Sequence, residues 1–440
     1  MIKKYLFLLS CFFVSTLTNA QQFDTNKLDL YFSSLEKANK FMGTVAVSKN
    51  EKIIYSRSIG YSNYENNTRS NANTKYRIGS ISKTFTAVLI MKAVEEKKLD
   101  LAQHIDKFFP SLTNASAITI GHLLSHRSGV HDFTDDENYI NWCYTPKSEK
   151  EMMAFIEKGG SDFQPDTKSE YSNSNYVLLT YILEKTYKTP YATLLKKCIT
   201  DPFSLKNTYF GGSINTSNNE AKSYTFEDNW KVAKETDTSI PLGAGGIVSN
   251  PLDLIKFSDA LFSGKILKAE SLALMENIQD GHGLGLFKQP FYDKQGFGHR
   301  GGIDKFTAVF SYFPSDHISF ALTSNGSNYN NNEVAVTVLN AIFGKPFEIP
   351  EFSTYQINAE ELAKYNGVYA SAQIPIKITI TNDGKNLTAQ ADGQASMQLE
   401  CTAENIFKFD KAGIVLEFKP SENVMILKQG GGQYIFNKEK

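Results

Sequence analysis

The sequence predicts an α+β fold: an antiparallel sheet carrying a helical subdomain, followed by a small all-β meander. Three observations carry this. β-patterned runs stand at 43–63 and again at 306–325, and the stretch between them, from about 80 to 275, has mostly helical spacing. After Pro350 the pattern changes to short β runs separated by turn residues. With 440 residues, 41% of them hydrophobic, the chain can bury a large core and divide into two domains. The expected division is a leader at 1–20, a first domain at 21–348 and a second at 349–440.

Residues 1–20 read MIKK, then YLFLLSCFFVSTL, then TNA before Gln21. A basic start, a short apolar centre and a small-x-Ala ending make a secretory signal. Cys11 after LLS resembles a lipoprotein cleavage site, but it falls early in the apolar centre, so cleavage after Ala20 is preferred. No later segment is apolar for the ~18 residues a membrane span needs. The mature chain is therefore expected to be secreted or periplasmic, without stable membrane insertion. Its net charge is −1, falling by two to −3 when Lys3 and Lys4 leave with the leader. No basic cluster is present, which argues against a nucleic-acid partner. The remaining cysteines, Cys143, Cys198 and Cys401, are odd in number and lack a C-x-x-C pair, against a disulfide scaffold or zinc knuckle. A single Cys143–Cys198 bridge stays open.

Taken in order, 26–41 reads as a short helix with apolar Leu28, Leu30, Phe32, Leu35 and Phe41. Residues 43–63 form a hairpin about Lys49-Asn50-Glu51-Lys52, and the asparagine-rich 64–75 forms a surface loop. Residues 77–97 open on Gly79-Ser80 and continue as an amphipathic helix with Ile81, Phe85, Val88, Leu89 and Ala93 on one buried face. Further helical patterns cover 119–129, 148–160, 174–188, 249–264 and 332–343. The β pattern returns at 281–287, 306–314 and 317–325. The simplest packing is one sheet built from both ends of this region, with a cleft between sheet and helical insert. Eight β runs follow between 364 and 437, a meander closing as a barrel or a sandwich.

Three segments carry chemistry. Ser80 stands at a helix start, where free backbone N–H groups favour negative charge. Lys83 lies three residues on, on the same face, and a desolvated lysine can take a serine proton. Tyr171 and Asn173 precede a strong helix. A phenol can act as a base beside an ammonium, and an amide side chain offers both donor and acceptor to a substrate. In GHRGG, Gly301 and Gly302 permit close backbone approach, their N–H groups could join that of Ser80 in an oxyanion site, and His299 could orient substrate or assist proton transfer.

In this order and spacing, Ser80-x-x-Lys83, Tyr171-x-Asn173 and His299-x-Gly301 resemble the three motifs of the penicillin-recognising serine hydrolases. The matching branch holds class C β-lactamases, D-alanyl-D-alanine carboxypeptidases, D-aminopeptidases and esterases. ITIGHLLSHRSGV (118–130), LGAGGIVSNPLDLIKF (242–257) and GLGLF (283–287) are similar to stretches of that family. The resemblance covers about 28–345 and implies a β-lactamase/transpeptidase-like fold. The later β domain resembles modules appended to some members. It also implies acyl transfer without metal or cofactor: Ser80 as nucleophile, Lys83 and Tyr171 relaying its proton, and an oxyanion held by the N–H groups of Ser80 and Gly302. Asn173, His299, Gly301 and Gly302 would bind substrate.

Two departures bear on the substrate. Tyr171 stands where the class A pattern has Ser-Asp-Asn. His299 stands where β-lactamases carry a lysine that fixes the β-lactam carboxylate, and histidine there resembles the peptidase and esterase branches. Arg300 could supply that charge only if turned inward. The expected function is therefore an exported serine hydrolase of D-amino-acid peptides, including peptidoglycan-derived ones, or of small esters. A class C-like β-lactamase is the first alternative, and a penicillin- or peptidoglycan-binding sensor that acylates without turnover is the second. His122-x-x-x-His126 has metal-ligand spacing but lacks the metalloprotease glutamate, and Gly243-Ala-Gly-Gly reads as a tight turn rather than a phosphate loop.

Overall fold

The computed structural model describes residues 23–439; the leader expected at 1–20 lies outside them. The main sheet is antiparallel along its path, with strands β1 (Phe41–Lys49), β2 (Lys52–Ile59), β3 (Phe287–Phe291), β4 (Lys294–Ile303), β5 (Phe306–Phe313) and β6 (Ile318–Ser327) in the order β3-β4-β5-β6-β1-β2. The two ends of the region meet where β1 pairs with β6, from Phe41 opposite Ser327 to Lys49 opposite Ile318. β1 is buried at eight of its nine positions, as expected of a central strand covered on both faces.

Two helices, α1 (Thr25–Lys37) and α5 (Asn331–Ile342), cover one face. They pack Leu28, Phe32, Val334 and Val338 against Val45, Phe313 and Phe320. The other face carries α2 (Ser82–Glu95), α3 (Asn173–Tyr187) and α4 (Pro251–Phe262). Their shared core joins Phe85, Leu178, Leu254 and Phe257 to Ala46, Phe310 and Ala321 of the sheet. Phe85 stacks on Phe257 at 3.8 Å.

Several local expectations change. The first helix stops at Lys37, and Phe41 begins β1 instead of ending the helix. α2 is not one-faced: every residue from Ser82 to Met91 is buried, because helices and sheet enclose it. Helical structure in 119–129 is confined to Ile120–Leu124. The stretch before Phe287 is irregular, since Gly285 (φ +72°) runs over α2 so closely that an added Cβ would lie 2.6 Å from Ala87. GHRGG lies within β4 rather than ahead of a strand. Cys143, Cys198 and Cys401 are free thiols, so the Cys143–Cys198 bridge is not formed. No described helix is long and apolar enough to cross a membrane.

Residues 367–438 form eight strands that close into an antiparallel barrel, the first pairing with the last. Alternation along each strand points Ile378, Leu399, Leu416 and Phe436 into its interior. Tyr365, Phe407 and Phe418 meet there edge-on or tilted, at 4.8–5.6 Å. Lys40, just ahead of β1, reaches this barrel and holds Glu400 and Asp410 at 2.9 Å each. Its side chain is 6% exposed and that of Asp410 12%. Removing the lysine strands a nearly buried carboxylate, whereas Glu400 is half exposed and screened. Lys40→Ala is therefore expected to lower stability by about 1–3 kcal/mol, read from urea unfolding, and to speed proteolysis between the barrel and the sheet.

Candidate active site

The approach to Ser80 is held from two sides. Tyr76–Arg77 pairs with Ile247–Ser249, and Ile78 N–H donates to Ile247 O at 3.0 Å. A 3-10 turn over Gly79–Ile81 then leads into α2, so Ser80 sits on the turn ahead of the helix. Gly79 has φ +51°, and a Cβ there would lie 2.8 Å from the Gly302 backbone. A Cβ on Gly301 would collide with Ile78 O and lie 2.9 Å from Ser80 N. Both glycines are needed for β4 to lie against the serine turn. A Cβ on Gly302, by contrast, would make only an ordinary contact, 3.8 Å from Phe306 O.

Lys83 is fully buried, and none of the described carboxylates is within ion-pair distance of it. Its Nζ lies 3.1 Å from Ser80 Oγ, 2.8 Å from Asn173 Oδ1 and 2.8 Å from Ala244 O. Burial pulls its pKa down from 10.5 to about 7, with the Asp132 charge opposing the fall. An uncharged amine has two hydrogens and one lone pair. The amide and peptide oxygens accept only, so they take both hydrogens and the lone pair is left for Ser80 Oγ.

The Tyr171 hydroxyl donates to Ser80 Oγ at 2.7 Å. Burial pushes this phenol well above its usual range, so at neutral pH it holds its proton. His126 stacks on its ring at 4.6 Å, and His126 Nδ1 accepts the Ser172 N–H at 3.1 Å, which sets the tyrosine's position from behind. Ser172 is the N-cap of α3 and Asn173 its first residue. Asn173 donates its backbone N–H (3.0 Å) and its Nδ2 (2.9 Å) to Asp132 Oδ2. That bond turns Oδ1 toward Lys83, so Asn173 orients the lysine before any substrate is considered.

His299 is buried against Phe287, ring to ring at 4.6 Å. Its Nδ1 is 2.6 Å from the carbonyl of Arg300 and so carries the hydrogen, leaving Nε2 as acceptor. Burial, reinforced by Lys83, lowers its pKa to about 3. The imidazole is neutral and cannot serve as a fixed positive charge. Arg300 does not replace it: it alternates with His299 along β4 and is exposed.

Ser80 opens onto two clefts. One, of about 420 Å³, is walled by Tyr139, Tyr144, Asn173, Ala244 and Gly302; the other, of about 500 Å³, by Tyr171, Phe287 and His299. The other six residues singled out from the three motifs thus gather around Ser80. Asp132 and the Ala244 carbonyl were missed. Asp132 had a signal, an acid closing SHRSGVHD, while Ala244 lay in the Gly-rich stretch read as a turn, where only a backbone oxygen matters. His122 and His126 do not share a ligand: His122 closes a capping box with Thr119, and His126 backs Tyr171. Among the described residues, no three His, Cys, Asp or Glu side chains cluster as a metal site would require.

Comparison with known proteins bears on the fold and the family. Penicillin-binding protein 4* of Bacillus subtilis (strain 168) is 24% identical over 450 residues, covering 92% of this chain and 97% of its own. The teichoic acid D-alanine hydrolase of Staphylococcus aureus (strain MRSA252) is 26% identical over 317 residues, 70% of this chain and 75% of its own. Among solved structures, the octameric penicillin-binding protein homologue from Pyrococcus abyssi superposes with TM-score 0.67 at 26% identity, over 94% of this chain and all of that one. The D-amino acid amidase of Ochrobactrum anthropi SV3, complexed with D-phenylalanine, gives 0.64 at 25%, over 72% and 99%. The family model for β-lactamase matches residues 31–343, and the chain belongs to the β-lactamase family of serine hydrolases.

Proposed function

We propose that this hydrolase is exported and opens amide or ester bonds of D-amino-acid compounds through an acyl-enzyme on Ser80. The observation that carries the catalytic assignment is the set of partners around Lys83 Nζ. With both amine hydrogens given to Asn173 Oδ1 and Ala244 O, the lone pair faces Ser80 Oγ, and burial keeps it free of a proton at moderate pH. The Ser80 proton passes to Lys83 as Oγ bonds to the substrate carbonyl. Tyr171 gives its proton to the departing amine or alcohol, and the adjacent ammonium of Lys83, 4.8 Å from the phenol ring, stabilises the phenolate. Water then attacks the acyl carbon, its proton going to Tyr171, while Lys83 returns the first proton to Ser80 Oγ. The N–H groups of Ser80 and Gly302 hold the oxyanion in both steps.

Asn173 and Asp132 position the lysine, and His299 Nε2 accepts a hydrogen bond from substrate. The neutral state of His299 disfavours the β-lactamase reading, because the β-lactam carboxylate finds no cation there. The D-amino-acid amidase and D-alanine hydrolase relatives favour D-amino-acid substrates. Residues 21–348 are taken as the catalytic domain and 349–440 as an accessory one.

The decisive experiment treats the protein with a fluorescent fluorophosphonate and assays it on D-alanyl-D-alanine peptides, D-aminoacyl anilides, nitrophenyl esters and nitrocefin. Ser80→Ala should lose both labelling and turnover; labelling that survives would overturn the assignment. An acyl-enzyme formed from one of these substrates that persists for hours by mass spectrometry would indicate a sensor instead. Tyr171→Phe should lower kcat by about 10²–10⁴-fold with little change in KM. Below pH about 7, kcat/KM should fall tenfold per pH unit as Lys83 takes up a proton. Because the Asp132 charge raises the Lys83 pKa, Asp132→Asn should move this acid limb to lower pH while weakening activity overall.

A further inference from the structure

The cleft between Ser80 and Tyr144 has a charge pattern that the acyl-transfer chemistry does not use. Three charged side chains line it: Lys234, Asp304 and Lys305. Asp304 is committed. Its side chain is 1% exposed, and it accepts from Arg77 Nη1 at 3.1 Å and from the N–H and hydroxyl of Thr236 at 2.8 Å each. Lys234 and Lys305 are exposed, and neither forms an ion pair among the described residues. The Lys234 ammonium stands 5.3 Å from the centre of the Tyr144 ring, on the wall of the cleft.

Neighbouring acids are directed elsewhere. Asp132 is saturated by Asn173 and Thr134, and Glu235 is paired with Arg77 through Oε2, which also accepts the Ile214 N–H. Asp135, Asp136 and Glu137 line a separate depression shared with Lys158. The cleft thus holds two unpaired ammonium groups and no uncommitted carboxylate. Lys288 and Arg300 line the second opening, but alternation along their strands turns them away from His299.

We propose that the substrate carries an anionic group, a carboxylate or a phosphate, seated between Lys234 and Lys305 beside Ser80. A free ammonium at that place meets two like charges and nothing to neutralise it. The inference rests on Ser80 acting as the acylated nucleophile, and it narrows the substrate class to D-amino-acid compounds bearing an acid on this side.

Four nitrophenyl esters of D-alanine, differing only in the N-cap, test it: succinyl, phosphonoacetyl, butyryl and aminoacetyl. At low salt, the anionic caps should exceed butyryl in kcat/KM by roughly tenfold, aminoacetyl should fall below it, and added salt should shrink both differences. Comparing succinyl with phosphonoacetyl separates carboxylate from phosphate recognition. In the double variant Lys234→Gln, Lys305→Gln the anionic-to-butyryl ratio should drop to about one, and Lys234→Glu, Lys305→Glu should invert the order. Fluorophosphonate labelling of Ser80 monitors folding of each variant. Equal rates for all caps, or a preference that survives in the double variant, overturn this inference alone. Absence of turnover on all four together with absence of labelling overturns the hydrolase reading, and this inference with it.

Discussion

The structure depends on keeping Lys83 dry. An ammonium taken out of water without a carboxylate partner is costly, and the protein relieves that cost by releasing the proton near neutral pH. Everything immediately around the amine fits an uncharged group: two acceptors, Asn173 Oδ1 and Ala244 O, and one hydroxyl. The nearest acid, Asp132, is separated from it by Asn173 and spends its oxygens on that residue and Thr134. A direct Lys83–Asp132 pair would hold the proton on lysine and remove the base.

That dryness goes with the complete burial of α2 from Ser82 to Met91, where a surface helix would carry a polar face. Enclosure by α3, the 242–245 turn and the sheet supplies the low-dielectric setting, and the apolar side chains of α2 satisfy it. The same enclosure demands backbone contacts too close for side chains. Gly79, Gly285 and Gly301 each sit where a Cβ would collide with a neighbouring segment. Their absence of side chains lets β4 and the 283–287 stretch close over the serine turn.

Electrostatics divide the site into parts. Around Ser80 burial favours the uncharged forms: phenol and imidazole are neutral at neutral pH, and the amine gives up its proton at about 7. Uncommitted charge stands at the cleft rim, where Lys234 and Lys305 form no ion pair among the described residues. Of the groups around Ser80, Lys83, whose two protonation states lie close in free energy near neutral pH, is the one placed to take and return the serine proton. A charged rim suits recognition, since it acts over the approach path without disturbing the relay.

The motif residues that meet at the cleft were legible in the chain. Ser80, Lys83, Tyr171, Asn173, His299, Gly301 and Gly302 are ordinary residue types made informative by order and spacing, and the sheet built from both ends followed from where period-two patterning stops and resumes. The eight runs after Pro350 announced a meander, but barrel closure depends on the first strand at Tyr369 and Ala370 meeting the last at Lys438 and Asn437, a contact no local pattern encodes. The tertiary structure alone decided the protonation states, because burial is a property of the whole assembly. It decided that His299 is a neutral acceptor, that Asn173 serves the lysine, and that a backbone oxygen at Ala244 and a carboxylate at Asp132 complete the site. A sequence states which side chains exist; which of them lose their water is decided only when the distant segments close around them.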